Sequence, residues 1–101
     1  DTYGAFLSEL QAAFRTNDRR AVIALVALPL RVQFDGETRT YRSAQDVNRD
    51  FDRIFTPRVR QSVLSQRGDK LRSRGSRMMG TGRLWFGPSS AGPIRILQVN
   101  P

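Results

Sequence analysis

Glu37, Arg39 and Tyr41 stand two residues apart in the segment ETRTY. In an extended chain that spacing projects all three from one face. An acid, a guanidinium and a phenol at the mouth of an apolar cavity can fix the orientation of a ligand. The same charges at the tip of a hairpin are simply hydrated, and the spacing allows either reading. Asp46, Asp50 and Asp52 offer the oxygen ligands that calcium or magnesium prefers. On a helix, however, Asp46 and Asp50 share one side while Asp52 points elsewhere, and Arg49 and Arg53 stand three residues on as ion-pair partners. Ordinary helix ion pairs account for these acids, and no metal is expected. The chain has no cysteine and no histidine. That removes disulfides, thiolate and imidazole metal sites, and nucleophile pairs built on histidine. No catalytic residue and no cofactor is assigned.

The elements that must position these groups are marked by local chemistry. Leu30, Val32 and Phe34 alternate with Arg31 and Gln33, the period of a half-buried strand. Asp35-Gly36 is a two-residue hairpin signal, with glycine free to take positive φ in a primed turn. Pairing across it sets Glu37 opposite Phe34, Arg39 opposite Val32 and Tyr41 opposite Leu30, so Tyr41 joins the apolar face. Ser43 with Asp46 three residues on resembles a capping box. Val47, Phe51, Ile54 and Phe55 then recur at helical spacing, which predicts one helix through residue 55. Thr56-Pro57 stops that helix and begins another, since proline loses no needed N–H at the first helical position. Val59, Val63 and Leu64 give the new helix an apolar side, and Gly68 closes it.

Upstream, Phe6, Leu7, Leu10, Ala13 and Phe14 form the buried stripe of an opening helix over 3–16. Asn17 or Asp18 caps a second helix through Val22, Ile23, Leu25 and Val26, which Pro29 ends at Leu28. Downstream, residues 70–74, 78–86 and 94–99 read as strands. Gly75 marks a bend, Gly80 and Gly82 a kink, and residues 87–93 a loop. The expected order is α-α-β-β-α-α-β-β-β, an α+β fold with helices packed on one strongly bent antiparallel sheet, all within a single domain spanning residues 1–101.

Composition narrows the partners. The net charge is +8, and sixteen of the seventeen basic residues are arginine. They fall in every segment without a dense block, so the footprint of a nucleic-acid partner is missing and none is expected. The longest apolar run, Ala21 to Leu30, is about half of what a bilayer span needs, and no membrane span or signal peptide is expected. Met78, Met79, Trp85 and Phe86 either line a pocket or fill the core. Large apolar groups on both faces of the strands, Leu84-Trp85-Phe86 and Ile96-Leu97, imply that the second sheet face is covered. The cover is an isologous dimer through the sheets, or else the chain's own termini and the 87–93 loop.

Three features together resemble the ketosteroid-isomerase and nuclear-transport-factor superfamily, the cystatin-like cone shared by polyketide cyclase-like proteins. They are the opening FLSELQAAFRTND, the hairpin leading into SAQDVNRDFDRIF, and the closing GTGRLWF with IRILQVN. The closing pair is most similar to small bacterial members of unknown function that are often exported. The resemblance implies a periplasmic or secreted protein, with the cytoplasm as the alternative. It also implies an interior pocket, for which Phe14, Phe34, Phe51, Phe55, Met79 and Trp85 are the expected lining and Glu37, Arg39 and Tyr41 the rim. The isomerase type uses an Asp base with a Tyr and a protonated Asp, but here the closing strands hold no acid beyond Asp69 and no tyrosine. The expectation is therefore a non-enzymatic cone, homodimeric, that binds a small apolar ligand or a protein. The alternative is a small isomerase, cyclase or dehydratase using Asp35, Glu37, Tyr41 or Asp69 as acid or base.

Overall fold

A computed structural model describes residues 2–67, 72–74, 77–79 and 83–101. Helix α1 (Thr2–Arg15) buries Phe6, Leu7, Leu10, Ala13 and Phe14 as the spacing predicts. It ends at Asn17, whose φ of 54° is left-handed. Asp18 N–H then donates back to the Ala13 carbonyl at 2.9 Å, closing the last turn. The two candidate caps thus divide their work. Asn17 terminates α1, and the Asp18 carboxylate accepts from Ala21 N–H at 3.1 Å to start α2 (Arg19–Ala24).

Helix α2 is shorter than expected. Rather than running to Leu28, it stops at Ala24, and strand β1 (Val26–Phe34) begins at once, with a cis Leu28–Pro29 bond inside it. A strand from the far end of the chain makes the difference: Ile96 N–H donates to the Leu25 carbonyl at 2.7 Å, and Val26 pairs with Ile96. Strand β2 (Glu37–Tyr41) pairs with β1 antiparallel in the expected register, Phe34 with Glu37, Val32 with Arg39 and Leu30 with Tyr41. Of the two turn residues only Gly36 takes positive φ, 81°, so the turn is not the primed form that needs both.

Ser43 Oγ caps α3 (Ala44–Arg49) by accepting from Asp46 N–H at 3.1 Å. The single helix expected over 43–55 is broken at Asp50, where φ −104° and ψ 19° lie outside helical values, and α4 (Phe51–Ile54) follows. Thr56 caps α5 (Pro57–Ser65), with Pro57 in its first turn. The expected close of that helix at Gly68, the bend at Gly75 and the kink at Gly80 and Gly82 lie outside the described residues.

Four further strands replace the expected three: β3 (Arg72–Arg74), β4 (Arg77–Met79), β5 (Leu84–Pro88) and β6 (Ile94–Val99). Met78 pairs antiparallel with Phe86 and Met79 with Trp85. The segment 78–86 is thus two partners in a ladder, not one strand. Gly87 and Pro88, expected in the loop, pair with Arg95 and Ile94 at the end of β5. The strand order is β2-β1-β6-β5-β4-β3. Because β1 and β6 run parallel, the sheet is mixed and not purely antiparallel. Register shifts interrupt β1 against β6 and β5 against β6. Helices cover one face, and Leu10, Leu30, Val32, Val47, Ile54, Phe86, Ile96 and Val99 fill the space between, each 0% exposed. Among the described residues no helix is long and apolar enough to cross a membrane.

Candidate functional site

Two polar constellations sit on this frame. The first grows from the hairpin. Tyr41 is buried beside Leu30 in the pairing of β2 with β1, and its hydroxyl reaches across to Asp50 at the α3–α4 break, donating to Oδ2 at 2.7 Å. Arg39 approaches the same carboxylate at 3.6 Å and Glu37 at 3.9 Å, while Arg49 approaches Asp50 from its own helix at 3.9 Å. Burial first, and then the bond to Asp50, pushes the Tyr41 phenol above its ordinary value. The break in the helix puts Asp50 where both strand and helix cations reach it. Its side chain is 15% exposed, the most enclosed carboxylate in these pairs. Around it Arg39 and Arg53 lay their guanidinium groups over the Phe34 ring, at 5.9 and 5.0 Å from its centroid. Every group here already has a partner, so the cluster ties the hairpin to the helices.

The second is a cavity of about 400 Å³ between the helices. The end of α1 contributes Ala13 and Phe14, the turn after it Asn17 and Asp18, and α2 Arg19 and Val22. On the opposite side stand Phe51 and Asp52 from α4, then Phe55, Pro57 and Arg60. Three phenylalanines form one aromatic wall, with Phe51 to Phe55 centroids 4.9 Å apart and Phe14 to Phe55 5.9 Å apart. At the rim Arg19 stacks over Phe51 at 4.7 Å and pairs with Asp52 at 3.4 Å. At the α5 side Arg60 donates through Nη2 to the Phe14 carbonyl at 2.9 Å. Such a bond suits the carbonyl-rich end of a helix. Its Nε is buried and has no partner. The volume is within the range of small-molecule sites, and the mix of apolar wall and few polar groups is typical of them.

The nine residues expected at a ligand site are thus separated. Phe14, Phe51 and Phe55 share the cavity wall. Arg39 and Tyr41 gather instead on Asp50, with Glu37 paired to Arg39 and Phe34 under Arg39. Trp85 lies half-buried in β5 and faces its register partner Gln98, away from the cavity. Met79 is placed by its pairings with Arg72 and Trp85, and nothing is described of its side chain. The sequence reading missed Arg19 and Arg60. One signal for Arg60 existed: it stands four residues before Leu64, on the flank of the stripe made by Val59 and Val63.

Among the described residues Tyr41 is the one buried residue with a polar side-chain group, and no group of three acids is placed to hold a metal ion. Glu37 and Asp35 are exposed, and Asp69 lies outside the described residues. Scanning the chain against protein-family models and searching the curated proteins found no match in either.

Proposed function

We propose that this chain is a ligand-binding domain of the ketosteroid-isomerase and nuclear-transport-factor type, taking a small apolar or aromatic molecule in the cavity walled by Phe14, Phe51 and Phe55. The cavity carries this reading: about 400 Å³ of space with a three-ring aromatic wall. The order of helices, hairpin, helices and closing strands supports the family assignment. An isomerase-like activity needs an enclosed carboxylate free to take a proton. Asp50, the best placed, is already committed to Tyr41 and two arginines.

The test uses a neutral aromatic probe, 4-phenylbutan-1-ol, in thermal unfolding and proton NMR. At tenfold excess over Kd a ligand of the folded state adds about 1.4 kcal/mol, which raises Tm by several degrees in a domain of this size. The expected result is that rise, with shifts in the ring resonances of Phe14, Phe51 and Phe55. No rise and no ring shifts up to millimolar probe would exclude the cavity as a binding site.

A further inference from the structure

We infer that the cavity is built for an anionic ligand, a small aromatic or aliphatic carboxylate whose charged head sits at Arg60 and whose body lies against Phe14, Phe51 and Phe55. The inference rests on the proposed binding role of the cavity and specifies what that role selects.

Two acids and two arginines line the cavity, and only Arg19 and Asp52 among them pair with one another. Its two acids are engaged: Asp18 accepts from Ala21 N–H at the start of α2, and Asp52 pairs with Arg19 at 3.4 Å. Arg60 is not so compensated. Among the described residues no carboxylate pairs with it, and its side-chain hydrogen bond goes to the neutral Phe14 carbonyl. A guanidinium carries five donors in a fixed fork and keeps its charge at any working pH. A ligand carboxylate beside the Arg60 guanidinium supplies the missing negative charge, in a charge-assisted bond stronger than a neutral one. Arg19 at the rim adds a second cation. It is exposed enough to exchange Asp52 for an incoming carboxylate, since its side chain is 46% and that of Asp52 89% exposed. The aromatic wall alone would not distinguish a neutral ligand from a charged one. Arg60 does.

The experiment compares 4-phenylbutanoate with 4-phenylbutan-1-ol, which share the same body and differ in the head group, by calorimetric titration at physiological salt. Wild type is expected to bind the carboxylate at least tenfold tighter than the alcohol. Arg60→Met is expected to abolish that preference, bringing the carboxylate and the alcohol to within about twofold of one another, and Arg60→Lys, which keeps the charge but loses the fork, to retain part of it. Arg58→Gln is the control for the general field of a +8 chain. Arg58 is exposed on the same helix and outside the cavity, so the preference should survive its loss. Equal affinity for the two probes in wild type would overturn the anion assignment while leaving the cavity as a neutral binding site. Binding of neither would overturn both readings. A preference that falls as far in Arg58→Gln as in Arg60→Met would assign it to net charge and overturn the role of Arg60. The comparison of the two probes on wild type stands even where a variant fails to fold.

Discussion

Tyr41 shows what one side chain decides in this protein. The alternation of ETRTY already assigns it to the apolar face, and it is 3% exposed. A buried phenol needs a partner for its hydroxyl, and Asp50 supplies one at 2.7 Å from the break between α3 and α4. Removing the hydroxyl in Tyr41→Phe should destabilise the fold by about 1–2 kcal/mol, read from urea unfolding. The pH dependence has a definite sign. Burial raises the phenol above its ordinary value, near 10. As pH climbs past about 10 the unfolded chain therefore loses this proton before the folded chain does. The unfolded state then binds fewer protons, and stability falls towards the higher folded value, whereas at neutral pH this contribution is constant. Wild type should lose stability above about pH 10, and Tyr41→Phe should show a shallower alkaline limb. Identical limbs in the two proteins would remove Tyr41 as the source.

At the scale of elements, the hairpin was legible and the closing strands were not. Alternation plus Asp35-Gly36 specifies both strands and their register, because slipping by one residue would turn Leu30, Val32 and Tyr41 to solvent. Gly36 alone holds the positive φ of that turn, and a Cβ built there meets nothing within 4 Å. The cost of Gly36→Ala is then purely conformational, about 1–2 kcal/mol. It should appear as a lower urea midpoint with an unchanged m-value, and an unchanged midpoint would show that the turn relaxes to another form. The helix read over 43–55 failed at one point for a reason no helical wheel contains. Asp50 is a weak helix former, and Tyr41, Arg39 and Arg49 converge on its side chain where the backbone departs from helical geometry. The early end of α2 has the same kind of cause, since Val26 pairs with Ile96 seventy residues away.

For the molecule as a whole, the sheet's outer face bears on assembly. The half made by β1 and β2 presents Arg31, Gln33, Thr38 and Thr40, all exposed. In register across the sheet, Arg31 is followed by Gln98 and then Trp85. A dimer through this face must therefore centre on Trp85, with half-buried Leu97 beside the register shift. Light scattering should report twice the 11.5 kDa chain mass at high micromolar concentration, and Trp85→Arg should return it to one chain by placing like charges across the two-fold axis. A wild-type monomer at that concentration would sink the dimer.

The amino-acid sequence by itself determined whatever depends on neighbours along the chain. That covers the buried stripe of α1, the caps at Asp18, Ser43 and Thr56, the hairpin register, and the removal of thiol and imidazole chemistry by composition. These follow from local sterics, hydrogen-bond satisfaction and the two periodicities of helix and strand. Only the tertiary structure decided the rest. It set β6 parallel to β1, gathered Arg39 and Tyr41 around Asp50, and left Phe14, Phe51, Phe55 and Arg60 around one cavity. Those placements join residues tens of positions apart. Their cause is which faces pack together, which the local pattern around any one of them does not encode.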